Sequence, residues 1–265
     1  MGIQHSEIDD VITYIHAHLD EPLELSWLAS QAAYSPYHFA RIFKSRTGLP
    51  PLYYVSSLRL QKAKELLLRT DLNIRDIGME IGQQSLGTFT TRFTNKVGLS
   101  PSQFRQYGPQ AGTHFSSLRQ LNNWSRAPRF SQTDTSVEGT IKAASSLHGV
   151  ILIGLFPKPI PEGLPPHGTL IPSLGDFCIS GVTPGIYYLM ATAISWNTST
   201  IDYLLPHTTL RTRSKQPIVV EPFTAIAPQH LELHPPRLED PPILISLPLL
   251  MNQFLQRVEQ QLSNP

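Results

Sequence analysis

One frame of sequence occurs twice. Ser35, Phe39, Phe43, Gly48, Leu49 and Pro51 recur 50 residues later as Ser85, Phe89, Phe93, Gly98, Leu99 and Pro101, and Arg46 recurs as Lys96. Six identities in an ungapped 17-residue frame mean a duplicated supersecondary unit. The residues say what the unit is. Ser35 suits a helix N-cap and Pro36 the first helical position. Phe39, Ile42, Phe43 and Arg46 then share one face at i, i+3, i+4 and i+7. Gly48 stops the helix, and Pro50–Pro51 prevent its continuation. Upstream, Leu25, Leu28, Ala29 and Ala32 mark a short amphipathic helix, with Ala33–Tyr34 as the turn. Helix, tight turn, helix is the helix-turn-helix plan. The second copy runs Ile74, Ile77, Ile81, a turn over 82–84, and a helix from Ser85 to Val97. Between the copies, Pro51–Arg69 reads as one long helix with Leu52, Val55, Leu58, Ala63, Leu66 and Leu67 on its apolar side.

The rest of the chain is built differently. Residues 1–108 hold 5 of the 24 prolines and residues 109–265 hold 19, so long helices give way to strands and turns. The fold class expected is therefore multidomain, all-α followed by mainly-β. Its parts are a helical domain over 1–108, a linker over 109–136 that is open to partial docking, an antiparallel β-sandwich over 137–235, and an extended segment with a C-terminal amphipathic helix over 236–265. Phe115, Leu118, Leu121 and Trp124 look too sparse to give the linker a core. The 21 basic and 20 acidic residues leave a formal charge of +1, which excludes an acidic disordered chain and a supercharged nucleic-acid coat. The single cysteine, Cys178, excludes an internal disulfide framework and a Cys-rich zinc site. The longest apolar run, Val150–Phe156, falls far short of the ~20 residues a membrane helix needs. The start, MGIQHSEIDD, lacks a basic end and an apolar core, so no signal peptide is expected. The expectation is a soluble, cytoplasmic protein without cofactor or metal.

With these residues in view, the first 107 residues resemble the AraC/XylS-type DNA-binding domain. The matching stretches are SPYHFARIFKSRTGLPP, SLRLQKAKELLLRTDLNIRDI and SLGTFTTRFTNKVGLSPSQFRQ. The resemblance implies seven helices, with two recognition helices held by the long connecting helix and entering two successive major-groove segments. It implies base contacts from Tyr37, Ala40 and Arg41, the stripe opposite Phe39 and Phe43. Arg59, inside the connecting helix, is open to a DNA contact, but the resemblance implies a structural ion pair for it. Arginine reaches guanine O6 and N7 in a bidentate way, for about 1–3 kcal/mol of discrimination. His38 joins the candidate set on the same turn. Lys44 and Arg46 suit phosphates, which position without specifying. The alternative for Arg41 and Lys44 is a merely solvated face.

The second copy departs from the family pattern. Its stripe is Gly87, Thr90, Thr91 and Thr94 with Leu86 in front, all uncharged. The family places a base where Thr91 stands, and an aromatic where Gln83 follows Gly82. The first recognition helix is thus expected to dominate readout, with Leu86 on a thymine methyl and Lys96 on a phosphate. Arg92 and Arg105 complete the local positive charge. His16 and His18 read as surface or capping residues.

From Val137 short apolar runs alternate with turns. The strands expected are Val137–Ala143, Gly149–Phe156, Gly175–Val182, Ile186–Ile194, Ile218–Glu221 and Leu231–Leu233. The string GDFCISGVTPGIYYLMA resembles the carboxypeptidase-regulatory or transthyretin-like sandwich through Gly175, Phe177, Ile179, Val182, Pro184, Gly185, Tyr187, Leu189 and Ala191. That resemblance implies a structural or binding module and no peptidase activity. Cys178 has no base or orienting group beside it in sequence, and FCIS is not the Pro-Cys-His-Arg motif of alkyl-transferring repair domains that accompany some AraC-type domains. Tyr187, Tyr188, Trp196 and Tyr203 suit either an effector pocket or the core and rim of the sandwich. In the last helix, Leu250, Phe254, Val258 and Leu262 form an i+4 ladder, open to homodimerisation or to packing on its own sandwich.

The function expected is a sequence-specific regulator binding double-stranded DNA, not an enzyme. Its sandwich would act in effector sensing, partner binding or dimerisation. The alternative is an interaction protein whose sandwich binds a protein or glycan, with DNA binding as localisation.

Overall fold

The structure, a computed structural model, describes residues 6–83, 85–121, 135–222 and 224–263. It divides into two compact units, Met1–Arg105 with Arg237–Leu244, and Gln106–Pro236 with Ile245–Pro265.

The first unit is built from α1 (Ser6–Ala17), α2 (Leu25–Gln31), α3 (Pro36–Thr47), α4 (Pro51–Arg69), α5 (Ile74–Glu80), α6 (Leu86–Val97) and the first turn of α7 (Pro101–Gln120). The duplication is visible atom by atom. The Ser35 side chain accepts from the His38 N–H and that of Ser85 from the Thr88 N–H, so each recognition helix starts on a serine cap. Gly48 and Gly98 both stop their helices at φ 85°, a left-handed conformation that an L side chain resists. Phe39 packs on Phe43 at 5.4 Å, and Phe89 on Phe93 at 5.7 Å, all four fully buried. Phe43 then meets the edge of Tyr54 at 5.5 Å, as Phe93 meets Phe104 at 5.8 Å.

The turns differ by one residue. Before them the copies correspond at an offset of 49: Tyr34 N–H donates to Ala29 O, and Gln83 N–H to Gly78 O. The residue ahead of each donor takes positive φ, 56° at Ala33 and 74° at Gly82. After the turns the offset is 50, so the second turn is one residue longer.

The unit is closed by residues from much later in the chain. Arg237–Leu244 lies with these helices, and Pro241, Pro242, Ile243 and Leu244 are buried. The sequence reading assigned this extended segment to the C-terminal part.

The second unit corrects the expected linker. Residues 109–120 are helical, because α7 continues to Gln120. Ala111, Phe115 and Leu118 recur at i, i+4 and i+7 and are buried, with Phe115 against the rings of Trp196 and Tyr203. Leu121 lies just past the helix end and Trp124 falls outside the described residues.

A three-stranded sheet orders β4 (Gly175–Ile179), β1 (Val137–Ala143) and β8 (Gln229–Leu233). A five-stranded sheet orders β3 (His167–Ile171), β2 (Gly149–Phe156), β5 (Gly185–Ser195) and β6 (Leu210–Arg213), with β7 (Ile218–Val220) also on β5. Both sheets contribute to one apolar core: Val137 and Ile141, Ile151, Ile153 and Leu155, Phe177 and Ile179, Leu189, Leu231 and Leu233. The purely antiparallel expectation is corrected at β1 and β8, which pair in parallel. β8 is reached from the other sheet and enters the free side of β1 in the same direction. The approach is tight, since a Cβ at Gly139 would overlap the Gln229 backbone. Strands β3 and β6 and the short α8 (Thr200–Leu204) add to the elements read from sequence.

Helix α9 (Leu247–Ser263) packs against α8 and β3 of its own unit. Met251 and Phe254 are buried there, while Leu250 and Val258 are half-buried. Of the ladder offered for homodimerisation, Phe254 is thus committed within the chain; the Leu262 side chain lies outside the described residues. Tyr187 and Tyr203 are buried as core. Among the described residues no helix is long and apolar enough to cross a membrane.

Candidate nucleic-acid interface

The packing of α3 decides which of its residues can meet another molecule. With Phe39 and Phe43 inward, the helix turns Tyr37 out to 84 % exposure, and Arg41 and Lys44 are exposed beside it. Ala40 is half-buried on the same stripe. Arg41 Nη2 lies 3.5 Å from His38 Nδ1, and the His38 ring sits edge-on to Tyr34 at 4.9 Å. An aromatic, a short side chain and two cations thus share one solvent-facing surface.

The matching surface of α6 has no charge. Leu86 is 47 % exposed, Gly87 and Thr91 are exposed, and Thr90 and Thr94 are half-buried. The Thr94 hydroxyl is turned back, donating to Thr90 O at 2.8 Å.

The basic residues one turn further on are held by their own unit. Arg46 donates from Nε and Nη2 to the two Asp9 carboxylate oxygens, at 2.9 and 3.2 Å, and Nη1 lies 3.3 Å from Glu239. The bond to Asp9 raises the Arg46 guanidinium above its ordinary range. Lys96 stands over the Tyr53 ring at 3.9 Å and donates to its hydroxyl at 2.7 Å. Both residues were read as phosphate contacts; both sit at i+7 from their phenylalanine, on the packing face. Arg92 donates to Gln83 Oε1 at 3.3 Å, and Arg105 to the carbonyls of Leu67 and Leu72. Arg59 also differs from expectation. Its donors go to the carbonyls of Leu19, at 2.9 Å, and Glu21, at 2.6 Å, rather than to a carboxylate. Burial lowers the Arg59 guanidinium from its usual range.

His16 and His18 both have partners. His16 Nε2 lies 3.0 Å from the Tyr54 hydroxyl, and His18 stacks on Tyr14. Cys178 is an exposed strand residue whose thiol is pushed up by burial and by Glu138, its cross-strand partner, and so stays protonated.

Two residues were missed by sequence reasoning. Lys64 is 1 % exposed, and its Nζ donates to Ile243 O and Leu244 O, both at 3.2 Å. Burial lowers its pKa to about 7. The Tyr54 hydroxyl donates to Leu238 O at 3.1 Å, and burial pushes its pKa up. Signals existed for both. Leu60, Ala63, Lys64 and Leu67 place a lysine inside an apolar stripe, and Tyr54 stands where the second copy has Phe104.

Residues 28–107 match a family described as "Helix-turn-helix domain". A probable transcription factor, PqrA of Proteus vulgaris, is 31% identical over 109 residues, which are 40% of this chain and 89% of that one. The chain belongs to the AraC-type helix-turn-helix family. Two Bacillus subtilis relatives extend well beyond the match. The uncharacterized HTH-type transcriptional regulator YobQ is 36% identical over 94 residues, 36% of this chain and 39% of that one. The bifunctional transcriptional activator/DNA repair enzyme AdaA is 36% identical over 110 residues, 41% of this chain and 52% of that one. The chain therefore spans about two-fifths to a half of the length of these two. Among solved structures, the C-terminal domain of AraT, a response regulator from Geobacillus stearothermophilus, is 31% identical over 39% of this chain and 88% of that one, with a TM-score of 0.37. The AraC-type match ends within α7, before the first strand of the β-rich region.

Proposed function

We propose that this chain is a sequence-specific transcriptional regulator that reads double-stranded DNA chiefly through α3. What carries the reading is the contrast between two equivalent surfaces: Tyr37, Arg41 and Lys44 exposed on α3, against an uncharged stripe on α6. In this reading Tyr37, Ala40 and Arg41 contact base edges, His38 steadies Arg41, and Lys44 meets a phosphate. Helix α6 adds a weaker contact through Leu86 and the backbone edge at Gly87, with Thr90 and Thr91 as neutral hydrogen-bonding groups. Arg46 and Lys96 support the unit from within. The two-sheet region is a carboxypeptidase-regulatory or transthyretin-like sandwich in this reading, and it carries regulation through an effector, a partner or a second copy.

The test is selection of bound genomic fragments by the purified full-length protein and by Arg41→Ala. A single enriched motif that the variant loses supports the proposal. A folded protein that enriches no motif overturns it. A motif retained by Arg41→Ala overturns the role given to α3.

A further inference from the structure

The helical unit is completed by eight residues from far along the chain, Arg237–Leu244. Side chains of the α3–α4 region hold them. Arg46 of α3 meets Glu239 at 3.3 Å, Tyr54 of α4 donates to Leu238 O, and Lys64 of α4 donates to Ile243 O and Leu244 O. His16 of α1 extends the Tyr54 contact into a relay across three elements. Burying an ammonium inside an apolar helix face is costly, and an aliphatic side chain would fill the same space without that cost. What lysine adds here is a donor for two buried carbonyls. Among the described residues the second copy differs at the corresponding positions. Phe104 replaces Tyr54 and lacks the hydroxyl, and the residue 50 places after Lys64 is His114. The anchored segment is thus tied to the recognition helix with the exposed cations, through Arg46 and Glu239.

We propose that residues 237–244 are a positioning strap for α3, locking it against α4 in the pose that presents Tyr37, Ala40 and Arg41, with Lys64 and Tyr54 as positioning residues. The inference rests on the DNA-reading proposal above. Pro236 and Ile245, which flank the strap in sequence, belong to the other unit.

The experiment titrates the full chain with its selected DNA sequence at several salt concentrations, comparing wild type with Lys64→Met, Tyr54→Phe and Glu239→Gln. All titrations run well below the melting temperature. Lost strap contacts weaken binding about five- to tenfold for Lys64→Met and about threefold for Tyr54→Phe. The salt slope stays that of wild type, because no phosphate contact is removed. Linkage supplies a second readout: trypsin cuts after the exposed Arg237 more slowly when DNA is bound, since DNA favours the docked strap. Folded variants with wild-type affinity overturn the strap, and so does DNA that speeds the cut, which would make the segment a brake. If Lys64→Met does not fold, Tyr54→Phe and Glu239→Gln decide alone. A wild-type chain with no preferred sequence overturns both proposals; one that binds, with variants that bind equally well, overturns only this one.

Discussion

At corresponding positions α3 carries Tyr37, Ala40, Arg41 and Lys44 where α6 carries Gly87, Thr90, Thr91 and Thr94. The two helices nevertheless share the serine cap, the left-handed glycine stop and the buried phenylalanine pair. Folding sets the shared parts. A cap satisfies backbone N–H groups that nothing else reaches, and a buried ring has few substitutes of its volume. Folding places no such demand on an outward stripe, so the copies are free to differ where another molecule would touch them. The difference extends one layer inward, to Tyr54 against Phe104, and it is the Tyr54 hydroxyl that bonds the segment 237–244.

The largest effect expected is on binding. Arg41→Ala should remove the proposed bidentate base contact and cost about 2–3 kcal/mol against the preferred sequence, while Thr91→Ala should change it by less than ~0.5 kcal/mol. A titration at fixed salt checks both, and equal losses would erase the asymmetry. Next comes pH, through the lysine that only the first copy has. Lys64 is lowered to about 7 when folded, whereas the unfolded chain holds that proton to an ordinary lysine value. Between these values the unfolded state binds more protons, so stability rises with pH, by about 1 kcal/mol per unit from pH 7 to 9. Denaturant melts across this range should show the rise in wild type and its loss in Lys64→Met.

A smaller effect separates Lys44 from Arg46. Lys44→Thr, which makes α3 resemble α6, should flatten the salt dependence of log K by about 0.9 and weaken all sequences alike. Arg46→Ala should leave that slope unchanged and lower the melting temperature, because its partners are Asp9 and Glu239. The smallest effect concerns the turns. Ala33 holds φ 56° where the second copy uses a glycine, so Ala33→Gly should relieve strain and stabilise by about 0.5 kcal/mol after the entropy that glycine adds to the unfolded chain.

Much of this was legible in the sequence, for physical reasons. Pro51–Arg69 and Gly149–Phe156 were read with the limits they adopt, because proline, glycine and an unbroken apolar run mark their ends locally. The outward stripe of α3 followed from its phenylalanines. Residues 109–120 were misread because Gly108, Pro109 and Gly112 look like linker punctuation, although Ala111, Phe115 and Leu118 kept helical spacing. The partners of Arg46 and Arg59 were not legible, since Asp9 and Glu239, and Leu19 and Glu21, are distant in sequence. The segment 237–244 has no periodicity of its own, and its pairing with α4 depends on carbonyls, which composition does not reveal.

That pairing has a consequence for synthesis. Tyr54 and the Leu238 carbonyl it binds are 184 residues apart. At roughly 5–20 residues per second, a ribosome needs about 10 to 40 s to travel between them. For that interval the duplicated helices exist on the nascent chain with Lys64 still without the carbonyls it binds. The helical unit is therefore finished only after the strands of the β-rich region have been made.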